Sequence, residues 1–354
     1  MTSTRLPHPP ARPWLLIVLT LIVGLAAGGC TALANPGATA TPGGPGRDGV
    51  APARTVGTAG ATPHTTGQRA WHGPGLAPPV ALVPLAGPAF AGEGGWHPAG
   101  RKVDGVPVVY EAELVPHGGT QPAGLAWMDT PLLTARLYSG TGSPGGTSWR
   151  YSAPVRPAQA ATLVAAFNGG FKMADARGGY YSEGKMADPL VRGAASLVVY
   201  SDGRVSVGAW GTDLGWTSPS GARAIAVRQN LVPLVAGGRP TAAAAGNWHA
   251  WGNTCGASSC AASVPGVEDQ WRSGVGVTAS GALVYALGPH LAPLQLAQLL
   301  ARAGVVRGME LDINPDWPVF ATYAPNAKLL RTVQGPQTFF DAQWARDFIT
   351  MSAR

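Results

Sequence analysis

Two carboxylates and an amide occupy every second position in the run Glu310-Leu311-Asp312-Ile313-Asn314. Successive side chains on a strand point to opposite faces, so Glu310, Asp312 and Asn314 would share one face and Met309, Leu311 and Ile313 the other. Residues two apart on a strand have Cα atoms roughly 6.6 Å apart. Two acids at that spacing can serve one substrate, or one can raise the pKa of the other by like-charge repulsion. A plain solvated strand face would show the same alternation. Glu and Asp are nevertheless poor strand formers, so their presence asks for a reason.

Two further places carry chemistry. Asn168-Gly169-Gly170 follows the apolar run 163–167. Asn and Gly tolerate positive φ, and bare glycine lets a ligand approach the backbone, although a tight turn needs the same residues. Arg272 opens a run of small and apolar residues, Ser273-Gly274-Val275-Gly276. Such an arginine is either a surface charge or a bidentate phosphate ligand.

The elements that must position these residues read mainly as strands. Runs 106–114, 124–127, 132–138 and 163–167 are strand-like. Run 196–207 is a hairpin turning at Asp202-Gly203, and 276–286 is another turning at Ser280-Gly281. Residues 225–235 read as a strand pair or one bulged strand. Residues 157–162 suggest a helical turn or two. Leu296, Leu299, Leu300 and Ala303 recur at helical spacing over 293–303, with Gly304 where a C-cap glycine belongs. Residues 344–351 read as a short closing helix. Hairpins with few helices predict an α+β domain of mainly antiparallel sheet.

Composition narrows the function. Charged residues make up 12% of the 354 residues, about half the usual share. The net charge is +7, but no basic run exists, which argues against a nucleic-acid partner. A diffuse positive surface suits an anionic, phosphate-rich envelope. Arg5 and Arg12 precede an uncharged hydrophobic run starting at Trp14, the pattern of an export signal. Three fates are open: cleavage after Ala34, retention as a membrane anchor, or lipidation at Cys30. In each the body is exported. Residues 1–34 are therefore assigned to the signal or anchor helix, 35–91 to a disordered Pro/Gly/Ala/Thr linker and 92–354 to the folded domain. Cys255 and Cys260 are the remaining cysteines. In an exported domain they are expected to form a disulfide closing a small loop, with free thiols as the other reading. A metal there would need ligands beyond nearby His249. Neither a metal nor a cofactor is expected, since no P-loop, HExxH or GxSxG motif is present.

The order of these pieces resembles the phosphodiester glycosidase family. It runs from Asn-Gly-Gly-Phe through an Asp-Gly hairpin, a strand ending in Gly237-Gly238, Arg272 opening a second hairpin, and a helix, to Leu311-Asp312. The lysosomal relative of that family removes N-acetylglucosamine from a phosphodiester on mannose. The resemblance covers about residues 163–320. It implies that Asp312 and Arg272 belong to the catalytic machinery and that Asn168, Gly169 and Gly170 belong to the substrate site. After Asp312 the chain reads Ile313-Asn314-Pro315-Asp316 where the family has glycines and serine, and Glu310 stands where the family commonly has asparagine.

The implied reaction is hydrolysis of a sugar-1-phosphodiester. The leaving phosphate monoester has a second pKa of about 6 and departs readily as an anion, unlike the poor alcohol leaving groups most glycosidases must protonate. One carboxylate then suffices as base or nucleophile, with a cation for the departing phosphate. Asp312 fits the first role and Arg272 the second. Glu310 would activate water or raise the pKa of Asp312, and Asn314 would join Asn168, Gly169 and Gly170 in binding substrate. Tryptophans, among them Trp248, Trp251 and Trp317, offer faces for a sugar ring. The alternative is a non-catalytic protein that binds envelope polysaccharide, or assists its assembly, on the same scaffold. The expected partners are a sugar-phosphate or polysaccharide of the envelope and, through the N-terminal segment, the membrane.

Overall fold

The computed structural model describes residues 74–354, apart from 86, 147, 247–250 and 252–269. The N-terminal hydrophobic run, most of the linker, and Cys255 and Cys260 lie outside the described residues. No described helix is long and apolar enough to cross a membrane.

Three antiparallel sheets dominate. The largest has eight strands, with Leu283–Leu291, Gln270–Thr278 and Val305–Glu310 side by side near its middle. A five-stranded sheet is centred on Ala224–Gln229. The other five-stranded sheet places Leu163–Asn168 next to Phe348–Ala353. Every pairing between these named strands is antiparallel. Four α-helices occur among the described residues, and only Pro293–Arg302 exceeds five residues. The domain is thus α+β with mainly antiparallel sheet.

The apolar pattern explains the layering. Side chains from all three sheets meet in one core: Val275, Tyr285 and Met309 from the large sheet, Leu197 and Val199 from the second, Phe167 and Ile349 from the third. The other face of the large sheet is covered by the Pro293–Arg302 helix through Leu296, Leu299 and Leu300. Gly274 permits this contact. A Cβ there would lie 3.1 Å from Leu296 Cδ2 and 3.3 Å from Leu300 Cδ1. Gly304 ends the helix at φ +86°, the left-handed conformation a C-cap glycine supplies without steric penalty.

Both predicted hairpins form, with Gly203 and Gly281 at positive φ in their turns. Three expectations need correction. The closing segment is a strand, Phe348–Ala353, and not a helix. Spacing of 344, 348 and 351 suits a helix, but the segment fills the slot between two strands, where backbone pairing on both sides outweighs local preference. Residues 225–235 form neither a hairpin nor one bulged strand. Ala224–Gln229 belongs to a five-stranded sheet and Val235–Ala236 to the large one, so residues 230–234 cross between sheets. Packing also begins before Gly92: Leu82 is buried, and its N–H donates to Gly94 O at 2.8 Å.

Candidate active site

The acidic strand is not a solvated face. The strand ends at Glu310, yet Leu311 N–H still donates to Ser273 O and Ser273 N–H to Asp312 O, at 2.8 and 2.9 Å. Asp312 Oδ1 then accepts the N–H of Asn314 at 3.0 Å. This local side-chain turn ends the ladder before Pro315. Met309 and Leu311 enter the central core as predicted, whereas Ile313 enters the other cluster, on the helix side. Neither carboxylate faces water: Glu310 is fully buried and Asp312 is 2% exposed.

Each acid is matched by an arginine. Glu310 Oε2 accepts from Arg272 Nη1 at 3.0 Å. Asp312 Oδ2 accepts from Arg346 Nη2 at 3.0 Å. Asp347, the residue after Arg346, takes two bonds from Arg228, Nε at 2.8 Å and Nη2 at 3.1 Å. Burying ions costs several kcal/mol each after relaxation, so three buried pairs are poor devices for stability alone.

Polar side chains tie the pairs together. Asn168 Nδ2 donates to Ser273 Oγ at 3.0 Å and to Gly169 O at 2.9 Å, while its Oδ1 accepts from Tyr285 Oη at 2.6 Å and Val319 N at 3.1 Å. Ser273 Oγ accepts from Asp312 N and donates to Asp312 O, both at 3.1 Å. Asn230 Nδ2 donates to Glu310 O and Leu311 O, and its Oδ1 accepts from Phe171 N. Asn168, Arg272, Glu310 and Asp312 therefore belong to one bonded cluster. They do not line an open cleft together.

The geometry reassigns several expected roles. Asn168 uses all four of its hydrogen-bonding capacities within the protein, so it positions Ser273 and Gly169. Gly169 and Gly170 are not in the positive-φ region. They make room for protein groups: a Cβ on Gly169 would fall 2.0 Å from Asp347 Oδ2, and one on Gly170 2.7 Å from Asn230 Oδ1. Gly169 N–H donates to Asp347 O at 2.8 Å. Arg272 is buried and engages Leu291 O at 2.6 Å and Trp251 O at 3.4 Å besides Glu310. Asn314 is half-buried. It serves Asp312 through its backbone, and its Oδ1 accepts from Asp316 N.

Electrostatics follow from burial. Desolvation raises Glu310 to about 7 against the pull of Arg272, with Asp312 adding to the rise. Desolvation likewise raises Asp312 to about 6, opposed by Arg346 and by the N–H groups of Asn314 and Ile313, with Asp347 pushing upward. A carboxyl near 6 exchanges protons readily close to neutral pH, as an acid–base catalyst must. Tyr285 is pushed well up by burial and remains a phenol.

Sequence reasoning missed Arg346, Asp347, Arg228, Asn230, Ser273 and Tyr285. A signal existed for some of them. In a chain only 12% charged, Arg346-Asp347 interrupts an otherwise apolar closing segment, and Arg228 ends the run Ala224-Ile225-Ala226-Val227. Trp317, named as a possible sugar platform, lies half-buried beside Arg346, whose guanidinium carbon is 4.9 Å from the ring centroid. Among the described residues, no group of three or more His, Cys, Asp or Glu is placed to hold a metal.

A scan against family models finds no match, and a search of curated proteins finds none. Solved structures offer distant similarity. The catalytic domain of zebrafish N-acetylglucosamine-1-phosphodiester α-N-acetylglucosaminidase, auto-inhibited by its pro-peptide, is 16% identical with a TM-score of 0.45, over 73% of this chain and 88% of that one. A hypothetical protein from Synechocystis is 13% identical with a TM-score of 0.43, over 73% of this chain and 64% of that one.

Proposed function

We propose that the chain is an exported hydrolase that cleaves the bond between a sugar C1 and a phosphate oxygen in cell-envelope glycans. The observation that carries this reading is the state of Asp312: a buried carboxyl raised to about 6, held between backbone N–H groups and Arg346, whose guanidinium lies over the ring of half-buried Trp317. The ordered motifs of the sequence support the same reading.

In the reaction, a water oxygen bonds to C1 and Asp312 accepts the proton it gives up. The bond from C1 to the phosphate oxygen breaks, and its electron pair leaves on the phosphate. The departing monoester needs little proton help, because its second pKa is about 6. A fixed cation beside it stabilises the charge that develops. Trp317 offers an apolar ring face to the sugar. Glu310 lies too deep to reach substrate; it holds Arg272 and, through its backbone carbonyl, Asn230. The N-terminal hydrophobic run would anchor the domain outside the membrane or be removed on export.

The test is direct. Purified full chain is incubated with a set of synthetic sugar-1-phosphodiesters, and free sugar is measured by chromatography. Sugar release is expected. Absence of turnover on every such ester, together with binding to envelope polysaccharide, would replace the hydrolase by a binding protein on the same scaffold.

A further inference from the structure

The three arginines of the cluster differ in what they leave unused. Arg228 gives Nε and Nη2 to Asp347, Nη1 to Gln229 O and Nη2 also to Phe171 O. Arg272 is spread over Leu291, Trp251 and Glu310. Arg346 gives only Nη2, to Asp312. Its Nε and Nη1 are buried and meet no acceptor among the described residues, and its side chain is only 7% exposed. Buried guanidinium donors are strongly driven to find an acceptor, and a planar guanidinium suits the oxygens of a phosphate.

We infer that Arg346 is the phosphate-binding residue of this chain and that its ligand is a phosphate monoester. The inference rests on the hydrolase reading in one respect: the monoester is taken to be the leaving group. Asp312 fixes the guanidinium through Nη2, and the Trp317 ring covers one of its faces. The Nε–H and Nη1–H donors of Arg346 are thereby left for a ligand, with Nη2 already held by Asp312. The phosphate then sits one guanidinium away from the carboxylate that works on C1, as cleavage of the C1–O bond requires. One proton shared between Asp312 and the monoester balances the charge, since both take a proton near neutral pH. Arg272, the arginine singled out from sequence, keeps a positioning role.

Titration calorimetry of the full chain with inorganic phosphate and with methyl phosphate tests this. Both probes are expected to bind one to one, and Arg346→Lys is expected to weaken both by about tenfold or more, because an ammonium cannot replace a planar donor set. Arg346→Gln should weaken them further. If that variant does not fold, the lysine variant, which keeps the charge, carries the test, with thermal unfolding as its check. Equal affinity in parent and Arg346→Lys overturns the inference. So does absence of binding at millimolar probe, or binding of inorganic phosphate with methyl phosphate excluded. Sugar release by a protein whose phosphate affinity ignores Arg346 overturns this inference alone. Arg346-dependent binding without any sugar release overturns the hydrolase reading alone.

Discussion

Arg346 and Asp347 are neighbours in the chain, yet they enter two quite different ion pairs. Asp347 and Arg228 form a closed pair: both side chains are 0% exposed, and two parallel bonds join them. Asp312 and Arg346 form an open pair: one bond joins them, and two guanidinium nitrogens have no acceptor among the described residues. The chemical groups are the same in both. The difference lies in how much of the arginine the protein itself uses. A pair that satisfies itself can only hold elements together, and here it joins the Ala224–Gln229 strand to the start of the Phe348–Ala353 strand. A pair left half-satisfied keeps a charge-assisted contact available for another molecule.

The largest expected effect follows from the closed pair. Arg228→Met keeps the length and apolar stem but leaves Asp347 buried without its cation, which should cost about 3–5 kcal/mol of stability. Urea denaturation of parent and variant measures it. Arg346→Gln, at the open pair, should cost less than half as much. If the two variants lose equal stability, the distinction between closed and open pairs collapses.

A smaller effect sharpens the comparison at Glu310. Its pKa rises from 4.5 in the unfolded chain to about 7 in the folded one. A raised folded pKa means that the folded protein binds the extra proton. The associated stability is fully present below pH 4.5 and is lost as pH climbs through 7. Removing this titration should leave Glu310→Gln close to the parent at low pH, and relatively more stable by about 1–3 kcal/mol at pH 7 and above. Unfolding free energies across that range decide. A variant that becomes relatively less stable as pH rises would mean that Arg272 outweighs burial, making this pair a true ion pair like Arg228–Asp347.

Much of the fold could be read from sequence where turn chemistry and periodicity agree. The two hairpins carry glycines at the positions that need positive φ, and the Pro293–Arg302 helix shows both apolar spacing and a C-cap glycine. The closing strand was misread because its apolar spacing fits a helix locally, while its two partner strands are distant in sequence. The site shows the same division. Glu310, Asp312, Arg272 and Asn168 stood out by residue type and spacing. Their partners Arg346 and Ser273 did not, because their meaning depends on contacts 34 and 105 residues away. Period two placed Glu310 and Asp312 on one face but carried no information on depth. Both faces of the strand are covered, so alternation that looked like inside against outside is in fact one interior against another.

The most direct test concerns Asp312. Asp312→Asn keeps the shape and the contact with Asn314 N–H but removes the group that accepts the proton. In the sugar-1-phosphodiester assay, kcat is expected to fall by about two orders of magnitude or more, roughly 3 kcal/mol of transition-state stabilisation. Thermal unfolding on the same sample should remain cooperative. Hydrolysis by the folded Asn variant at the rate of the parent would contradict the account.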